Sequence, residues 1–186
     1  MGLCHPPQPV CLIVGMLSRT QTIFPLAEER MTRLWGPIDL AGPLLLFDFT
    51  DYYAKQMGAP LLRRFVSFAQ LIDPADLATI KLLANTLEAE LARHPAALSL
   101  AVPRPINLDP GYVDPSKLVL ASTKDYSHRV CLGHAVYAEA TLRFHRGRWE
   151  PFPYTYPDYA SGRYNDFLCR VRERLLENRP SPKPST

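Results

Sequence analysis

The sequence contains only four cysteines, and no two of them form a CxxC pair. They stand at Cys4, Cys11, Cys131 and Cys169, too far apart for a compact disulfide framework or a cysteine-rich zinc site. A chain of 186 residues can bury a hydrophobic core without disulfide bonds. We therefore expect reduced thiols and a cytoplasmic location.

The sequence also lacks a long hydrophobic run and a dense basic segment. The apolar stretch at 10–17 is shorter than a membrane span and is typical of a buried strand. The formal net charge is only +3, and the basic residues are spread along the chain. These features predict no membrane association and give no strong signal for nucleic-acid binding. A small anionic molecule remains a possible partner, because it needs only a few converging cations.

Glycine is scarce and proline is abundant, with 9 and 19 residues respectively. Hydrophobic residues make up 47% of the chain and charged residues 21%, as expected for a globular protein. Most prolines fall where helices begin or end and in loops. We predict one domain over 1–179, followed by a disordered proline-rich tail at 180–186.

The first half of the chain has the pattern of a split βαβ unit. A strand at 10–17 is followed by a helix that Thr22 caps and that ends at Gly36. Strands are then predicted at 44–49 and 63–71, and a helix capped by Asp73 extends to Pro95. The order strand, helix, strand, strand, helix is typical of the start of a ferredoxin-like fold.

The second half predicts further antiparallel strands and a last helix. The fourth strand of the ferredoxin-like unit is expected at 98–102 or at 117–122. Stretches at 129–132, 136–144 and 148–152 have the pattern of a β-meander with turns at 133–134 and 146–147, and 161–178 predicts the helix. The predicted fold class is α+β, with a ferredoxin-like split βαβ start extended by a mainly antiparallel β-meander and a C-terminal helix.

Asp48, Thr50 and Asp51 lie at the end of the predicted second strand and form the first candidate site. If the strand continues, Asp48 and Thr50 lie on one face, where a ligand hydroxyl or Mg²⁺ could bind. The structural alternative is that Asp51 caps a short helix and Asp48 pairs with an arginine such as Arg63 or Arg64.

A second candidate group lies at Arg104, Asn107 and Asp109. Asn107 and Asp109 alternate along the chain, so they point the same way if the backbone is extended. Asp109 is followed by Pro110 and then glycine, which is typical of a turn, and a turn held by Asx hydrogen bonds is the alternative.

A third candidate group follows the predicted strand at 117–122 and supplies donors for a phosphate or carboxylate. It consists of Thr123, Lys124, His128 and Arg129, and Lys117 at the start of the strand is a further candidate. The segment has no glycine and is not a P-loop. A polar surface hairpin is the alternative. Three tyrosines at 154–159 are a further aromatic candidate for stacking on a planar ligand, or for covering one end of the core.

Several long motifs in this order resemble a bacterial family of unknown function, the family called domain of unknown function 4416. The motifs are LIVGML at 12–17, FDFTDYY at 47–53, MGAPLLRRFVSF at 57–68, INLDPGY at 106–112, KLVLASTKDYSHR at 117–129, YAEATL at 137–142 and TYPDY at 155–159. They span nearly the whole predicted domain. The resemblance implies a family but no activity.

These residues favour a domain that binds a small phosphorylated or carboxylated ligand in a polar pocket. In this hypothesis Lys124 and Arg129 hold the anion, and Asp48 and Asp109 accept hydrogen bonds from ligand hydroxyls. One alternative is Mg²⁺-dependent phosphoryl or nucleotidyl transfer, with Asp48, Asp51 and Asp109 as ligands of the metal. The other is a non-catalytic interaction module that uses the basic last helix and the tail.

Overall fold

A computed structural model describes residues 2 and 4–179, and the predicted tail at 180–186 lies outside the described residues. The strands are β1 Val10–Ser18, β2 Ile38–Ala41, β3 Leu45–Phe47, β4 Leu61–Ile72, β5 Asn107–Val113, β6 Lys117–Ser122, β7 Val130–Gly133, β8 Val136–His145 and β9 Arg148–Pro151. The α-helices are α1 Phe24–Trp35, α2 Ala54–Met57, α3 Leu77–Ala92, α4 Pro95–Leu98, α5 Pro157–Ala160 and α6 Asn165–Asn178. The predicted α+β class is confirmed.

In the described residues the strands form one antiparallel sheet with the order β2-β4-β1-β5-β6-β8-β7. β3 also pairs with β4, and β9 also pairs with β8. β4 lies between β1 and β2 and runs antiparallel to both, and β5 lies on the other side of β1. This is the ferredoxin-like arrangement that the first half of the sequence predicts.

Helices cover both faces of the sheet. Alternate β1 residues Leu12, Val14 and Met16 pack with α1 and α3 in one core cluster. Cys11 and Ile13 point to the other face, where α6 packs. We call the face with Leu12, Val14 and Met16 the α3 face, and the face with Cys11 and Ile13 the α6 face. β1 is buried along its whole length because both faces are covered.

The fourth strand of the split βαβ unit lies at neither of the two predicted positions. It is β5, which includes the Asp109, Pro110 and Gly111 that we interpreted as a turn. A Cβ on Gly111 would lie 2.4 Å from the carbonyl oxygen of Val119, so glycine here permits close packing against β6. The stretch predicted at 98–102 instead follows the short helix α4.

Some element boundaries also differ from the prediction. The side chain of Thr20, and not Thr22, caps the short 3-10 helix that leads into α1, by accepting from the N–H of Thr22 at 3.3 Å. β3 ends at Phe47, so the second strand does not continue through Thr50. The prediction missed β2, a four-residue edge strand. The Asp73 cap and the meander strands are confirmed.

Candidate functional site

The sheet opens between the first half of β5 and the end of β6. The two strands pair over only three residues each, Gly111–Val113 with Leu118–Leu120. The next β5 residue is Pro110, which has no N–H to donate to a neighbouring strand. Within the described residues, the segment from Asn107 to Pro110 therefore has a strand partner only on its β1 side.

Side chains of α3 occupy the place of the missing strand beside Leu108. The N–H of Leu108 donates to Glu88 Oε1 at 2.7 Å, and Lys81 Nζ donates to the Leu108 carbonyl oxygen at 2.9 Å. Both backbone groups are thus hydrogen-bonded, as buried backbone requires. The opening is therefore a stable feature of the fold, and it brings charged side chains to the centre of the sheet.

Asp109 lies at the centre of this opening with basic and amide groups around it. Its Oδ2 accepts from Asn107 Nδ2 at 2.6 Å and from Arg63 Nη1 at 3.4 Å, and its Oδ1 lies 3.6 Å from Lys81 Nζ. Arg104 donates to the side-chain oxygen of Asn107. The structure thus brings the predicted residues Arg104, Asn107 and Asp109 together in one hydrogen-bonded chain.

Asp109 is held in its ionised form although it lies deep in the molecule. Burial acts to raise the pKa of its carboxyl, but the charges of Lys81 and Arg63 and the hydrogen bond from Asn107 outweigh burial and lower the pKa below 3.8. Its side chain nevertheless remains 27% exposed. A partly exposed, ionised carboxylate can accept a hydrogen bond from a bound molecule.

Arg63 reaches Asp109 from β4 by crossing over β1. The β1 residue between them is Gly15, which is paired with Phe65 on one side and with Asp109 on the other. A Cβ on Gly15 would lie 2.8 Å from Phe65 Cε1 and 3.0 Å from Arg63 Nη1. Glycine at this position therefore leaves the space through which the guanidinium passes.

Arg63 also connects the opening to the segment before α6. Its Nη2 lies 3.6 Å from Asp158 Oδ2, which accepts a hydrogen bond from the Tyr164 hydroxyl at 3.2 Å. Burial raises the pKa of Asp158, and Arg63 opposes this effect. The buried hydroxyl of Tyr159 has no hydrogen-bond partner among the described residues. Asp158, Tyr159 and Tyr164 are all buried on this side of the site.

Tyr53 faces the opening from the segment before α2. Burial and the negative charge of Asp109 raise the pKa of its hydroxyl to about 12, while Arg63 and Arg104 oppose the increase. The neighbouring Tyr156 also raises the pKa of the Tyr53 hydroxyl. The Tyr53 hydroxyl stays protonated, so it can donate a hydrogen bond, and its ring packs against Phe47. We call the region formed by Tyr53, Arg104, Asn107 and Asp109 the Asp109 cleft.

Two cations act on the neighbouring Tyr52 at the edge of the cleft. Lys124 Nζ lies 2.9 Å from the Tyr52 hydroxyl, and this contact lowers the pKa of Tyr52, with a smaller contribution from Arg104. Tyr52 is 64% exposed. The structure therefore brings Lys124 from the third predicted group into contact with the segment before α2.

The Arg129 side chain is hydrogen-bonded to other protein groups and is not open to a ligand. Its guanidinium donates to Glu139 at 2.7 Å, to Ser122 at 2.8 Å, to the carbonyl oxygen of Lys124 at 2.9 Å and to the Tyr156 hydroxyl at 3.2 Å. Only 2% of the Arg129 side chain is exposed. It therefore connects the loop after β6 to β8 and to the tyrosine segment.

His128 belongs to the same structural group as Arg129. Its Nε2 lies 3.1 Å from Glu139 Oε2, and its ring stacks on Tyr154 with centroids 4.3 Å apart. The tyrosines at 154–159 thus contact protein groups on this side, and Tyr154 donates to the carbonyl oxygen of Ala140 at 3.0 Å.

The other predicted residues lie elsewhere. Asp48 pairs with Arg163 at 2.8 Å, and not with Arg63 or Arg64. Asp48, Thr50 and Asp51 line a depression of about 260 Å³ beside α2. Lys117 pairs with Asp114 at the opposite end of β6 from the cleft. Thr123 is exposed on the loop after β6.

Residues 2 and 4–179 contain no group of three or more His, Cys, Asp or Glu side chains that could hold a metal ion. The Mg²⁺ hypothesis for Asp48, Asp51 and Asp109 stays a prediction from the sequence. Another depression, of about 520 Å³, is lined by residues that include Thr22, Leu44 and Arg64, and it does not include the cleft residues. Within the described part of the chain, no helix is both long and apolar enough to cross a bilayer.

The sequence interpretation missed Arg63, Lys81, Glu88 and Tyr53. A signal for two of them exists, because Lys81 and Glu88 are seven residues apart and share the apolar face of α3 with Leu77 and Ala84. Charged residues on a buried helix face are expected to have specific partners. Arg63 gives a weaker signal, because a second arginine, Arg64, follows it on the same strand.

Comparison with known proteins supports the family resemblance. No curated protein and no solved structure matches the chain. The family described as "domain of unknown function (DUF4416)" matches residues 8–175, which include the whole sheet and most of α6. The chain therefore belongs to the family called domain of unknown function 4416.

Proposed function

We propose that the chain binds a small molecule with a phosphate or carboxylate group in the Asp109 cleft. The observation that carries the proposal is the ionised carboxylate of Asp109, which is partly exposed at a break in a central sheet. Its protein partners are all donors or cations: Asn107, Arg63 and Lys81. A ligand hydroxyl or amino group approaching from the solvent side supplies the remaining hydrogen bond.

Lys124 is the cation that we assign to the anionic group, because it lies beside the exposed Tyr52 at the surface. Arg104 is paired with Glu88 at 2.7 Å and adds only a smaller, longer-range charge at Tyr52. Lys124 makes its side-chain contact with a neutral phenol and keeps its charge available. Arg129, which the sequence analysis assigned to this role, is already engaged by four protein groups and positions the loop that carries Lys124.

Calorimetric titration with a panel of nucleotides, sugar phosphates and small carboxylates tests the proposal. We expect at least one compound to bind, and we expect both Asp109→Asn and Lys124→Ala to weaken its binding by about tenfold or more, since each loses a charge-assisted hydrogen bond. Lys117→Ala is the matched control, because Lys117 lies at the far end of β6 and pairs with Asp114. Equal affinity of Lys124→Ala and the wild type for every compound that binds would overturn the assignment.

We also propose a cytoplasmic location, because the cysteines are scattered, and a bacterial origin, because the motifs resemble those of a bacterial family. Mg²⁺-dependent transfer and a non-catalytic interaction module remain the alternatives that the sequence suggests. A bound compound that is chemically changed during the titration would favour an enzyme over a binding domain.

A further inference from the structure

The most exposed aromatic side chains of the described residues come together at one place. Of the phenylalanines, tyrosines and tryptophans in residues 2 and 4–179, the most exposed are Tyr52, Tyr126 and Tyr156, at 64%, 46% and 41%. They belong to three segments that are distant in the chain: the one before α2, the loop after β6 and the segment before α5. Aromatic rings usually pack in a core, so exposed rings gathered from separate segments indicate a binding surface.

Two cations connect the three rings. Lys124 Nζ lies 4.1 Å from the centroid of the Tyr52 ring, and the Lys124 carbonyl oxygen accepts from Arg129 at 2.9 Å. Arg129 also donates to the Tyr156 hydroxyl at 3.2 Å, and its Cζ lies 4.6 Å from the centroid of the Tyr126 ring. The rings are therefore held around one short stretch of the chain. We call the group formed by Tyr52, Lys124, Tyr126 and Tyr156 the tyrosine rim.

The tyrosine rim borders the Asp109 cleft. Tyr52 is followed in the chain by Tyr53 of the cleft, and the centroids of their two rings are 5.1 Å apart. The backbone N–H of Arg104, another cleft residue, donates to the carbonyl oxygen of Gln56 on α2 at 3.0 Å. The segment that carries Tyr52 and Tyr53 is thus fixed to the cleft. A ligand that extends from the cleft to Lys124 lies beside the rim.

The chemistry of the rim and the cleft favours an occupant with three parts. An exposed tyrosine ring offers a flat face on which a planar ring can stack, and such stacking accepts any base. Lys124 supplies a positive charge for a phosphate. Asp109 supplies an acceptor for a hydroxyl. A nucleoside monophosphate has a planar base, ribose hydroxyls and one phosphate, so it can use all three.

We propose that the tyrosine rim binds the base of a nucleoside monophosphate whose phosphate lies at Lys124 and whose ribose hydroxyls lie at Asp109. The anionic end of this assignment rests on the proposed function, and the rim adds the class of ligand. Lys124 lies over the ring of Tyr52, so this tyrosine belongs to the phosphate end. Tyr126 and Tyr156 are the rings that we assign to the base.

The charges at the rim fit a free nucleotide better than a nucleic-acid strand. Of the basic residues that act on the rim within the described part of the chain, Arg129 is buried against Glu139 and Arg104 is paired with Glu88. Lys124 remains, exposed at the surface. A single strand requires a groove whose cations follow many phosphates. One available cation matches one phosphate group.

Calorimetric titration of the whole chain with three sets of compounds tests the assignment. The sets are the four nucleoside 5′-monophosphates, their parent nucleosides, and ribose 5-phosphate, which has the sugar and the phosphate but no base. We expect at least one monophosphate to bind about fivefold or more tighter than ribose 5-phosphate, because the base stacks on the rim. We expect the same monophosphate to bind tighter than its nucleoside, which has no charge for Lys124.

Variants of the two assigned tyrosines separate the base from the phosphate. Tyr126→Leu and Tyr156→Leu are each expected to weaken monophosphate binding about fivefold or more and to leave ribose 5-phosphate binding unchanged. Tyr126→Phe keeps the ring and is expected to bind like the wild type. Leu176→Ala is the matched control, because Leu176 is as exposed as Tyr126, at 47%, but lies on α6. Circular dichroism shows whether each variant is folded.

The results distinguish a failure of the rim from a failure of the anion site. Ribose 5-phosphate that binds as tightly as every monophosphate would overturn the rim and leave the anion site intact, as would a panel in which only compounds without a base bind. Nucleosides that bind as tightly as the monophosphates, with the same loss in Tyr126→Leu, would support the rim and overturn the phosphate assignment.

Two further results would also overturn the proposal. If none of the nucleotides, sugar phosphates and carboxylates binds, the rim assignment and the proposed function both fail. A single-stranded oligoribonucleotide that binds more than tenfold tighter than every monophosphate would show that the occupant is a nucleic-acid strand instead of a free nucleotide.

Discussion

Arg63 and Asp109 are in contact at 3.4 Å although they lie on strands that are not neighbours. Arg63 is on β4 and Asp109 is on β5, and β1 lies between these two strands. The contact exists because β1 has Gly15 at the crossing point. Asp109, the residue on which the proposed function depends, is therefore positioned by three strands together.

Gly15→Ala tests the importance of this crossing point. The added Cβ would contact Phe65 at 2.8 Å and Arg63 at 3.0 Å, so both side chains must move. We expect the free energy of unfolding, measured with urea, to fall by about 1–3 kcal/mol. In Gly2→Ala, the control, the new methyl group has nothing within 4 Å and is expected to leave stability unchanged. An equal effect of both substitutions would contradict the crossing-point argument.

Lys81→Met removes the donor that takes the place of a strand beside Leu108. It leaves the Leu108 carbonyl oxygen without this hydrogen bond and Asp109 without one of its cations. We expect a loss of about 2–4 kcal/mol in unfolding free energy, since a buried charge loses its partner. Lys55→Met on α2 is the control, because Lys55 is exposed. A stability equal to that of the wild type would show that Lys81 is dispensable for the open sheet.

The pH dependence of stability is expected to change in Asp109→Asn. The pKa of Asp109 is lowered below 3.8 on folding, so its ionised form stabilises the protein above that pH, and this contribution is lost as the pH falls through the lowered value. The stability difference between the wild type and the variant should therefore be large near neutral pH and shrink in acid. Urea unfolding at several pH values measures this difference.

Other buried carboxyls do not obscure the Asp109 comparison. Burial raises the pKa of Glu88 and of Asp158, which gives the opposite pH dependence. Both groups are present in the wild type and in Asp109→Asn, so their direct contributions largely cancel in the difference. A difference that grew as the pH fell would contradict the lowered pKa of Asp109.

Tyr159→Phe and Tyr164→Phe form a matched pair near Arg63. The buried Tyr159 hydroxyl has no partner in the described part of the chain, so removing it is expected to be neutral or to stabilise by up to about 1 kcal/mol. The Tyr164 hydroxyl donates to Asp158 at 3.2 Å, and its removal is expected to cost about 1–2 kcal/mol. Thermal unfolding of the two variants measures the contrast, and the reverse order would contradict it.

The local sequence determined most of the helices and strands. The apolar periodicity of α1 and α3, the Asp73 cap and the glycine turns of the meander act over a few residues, so they can be recognised without knowledge of distant partners. The order of the predicted elements also indicated a ferredoxin-like start, and the structure forms it with two strands that were not predicted, β2 and β5.

β5 was missed because its local signal contradicts its tertiary environment. Asp109, Pro110 and Gly111 favour a turn by themselves. In the folded chain, Pro110 lies where the ladder to β6 ends, and Gly111 lies where a side chain would meet β6. Both residues that usually interrupt a strand are thus accommodated by neighbours that are distant in sequence.

The sequence by itself also identified Arg104, Asn107, Asp109 and Lys124 as candidates, because polar residues next to strands are unusual without a partner. Only the tertiary structure decided which of these residues meet, by placing the open edge of β5 against α3 and the segment that carries Tyr52 and Tyr53. It separated Lys117 from them and engaged Arg129 in structural contacts. The physical reason is that charge pairing depends on distances between strands and helices, and those distances are set by packing that no local pattern encodes.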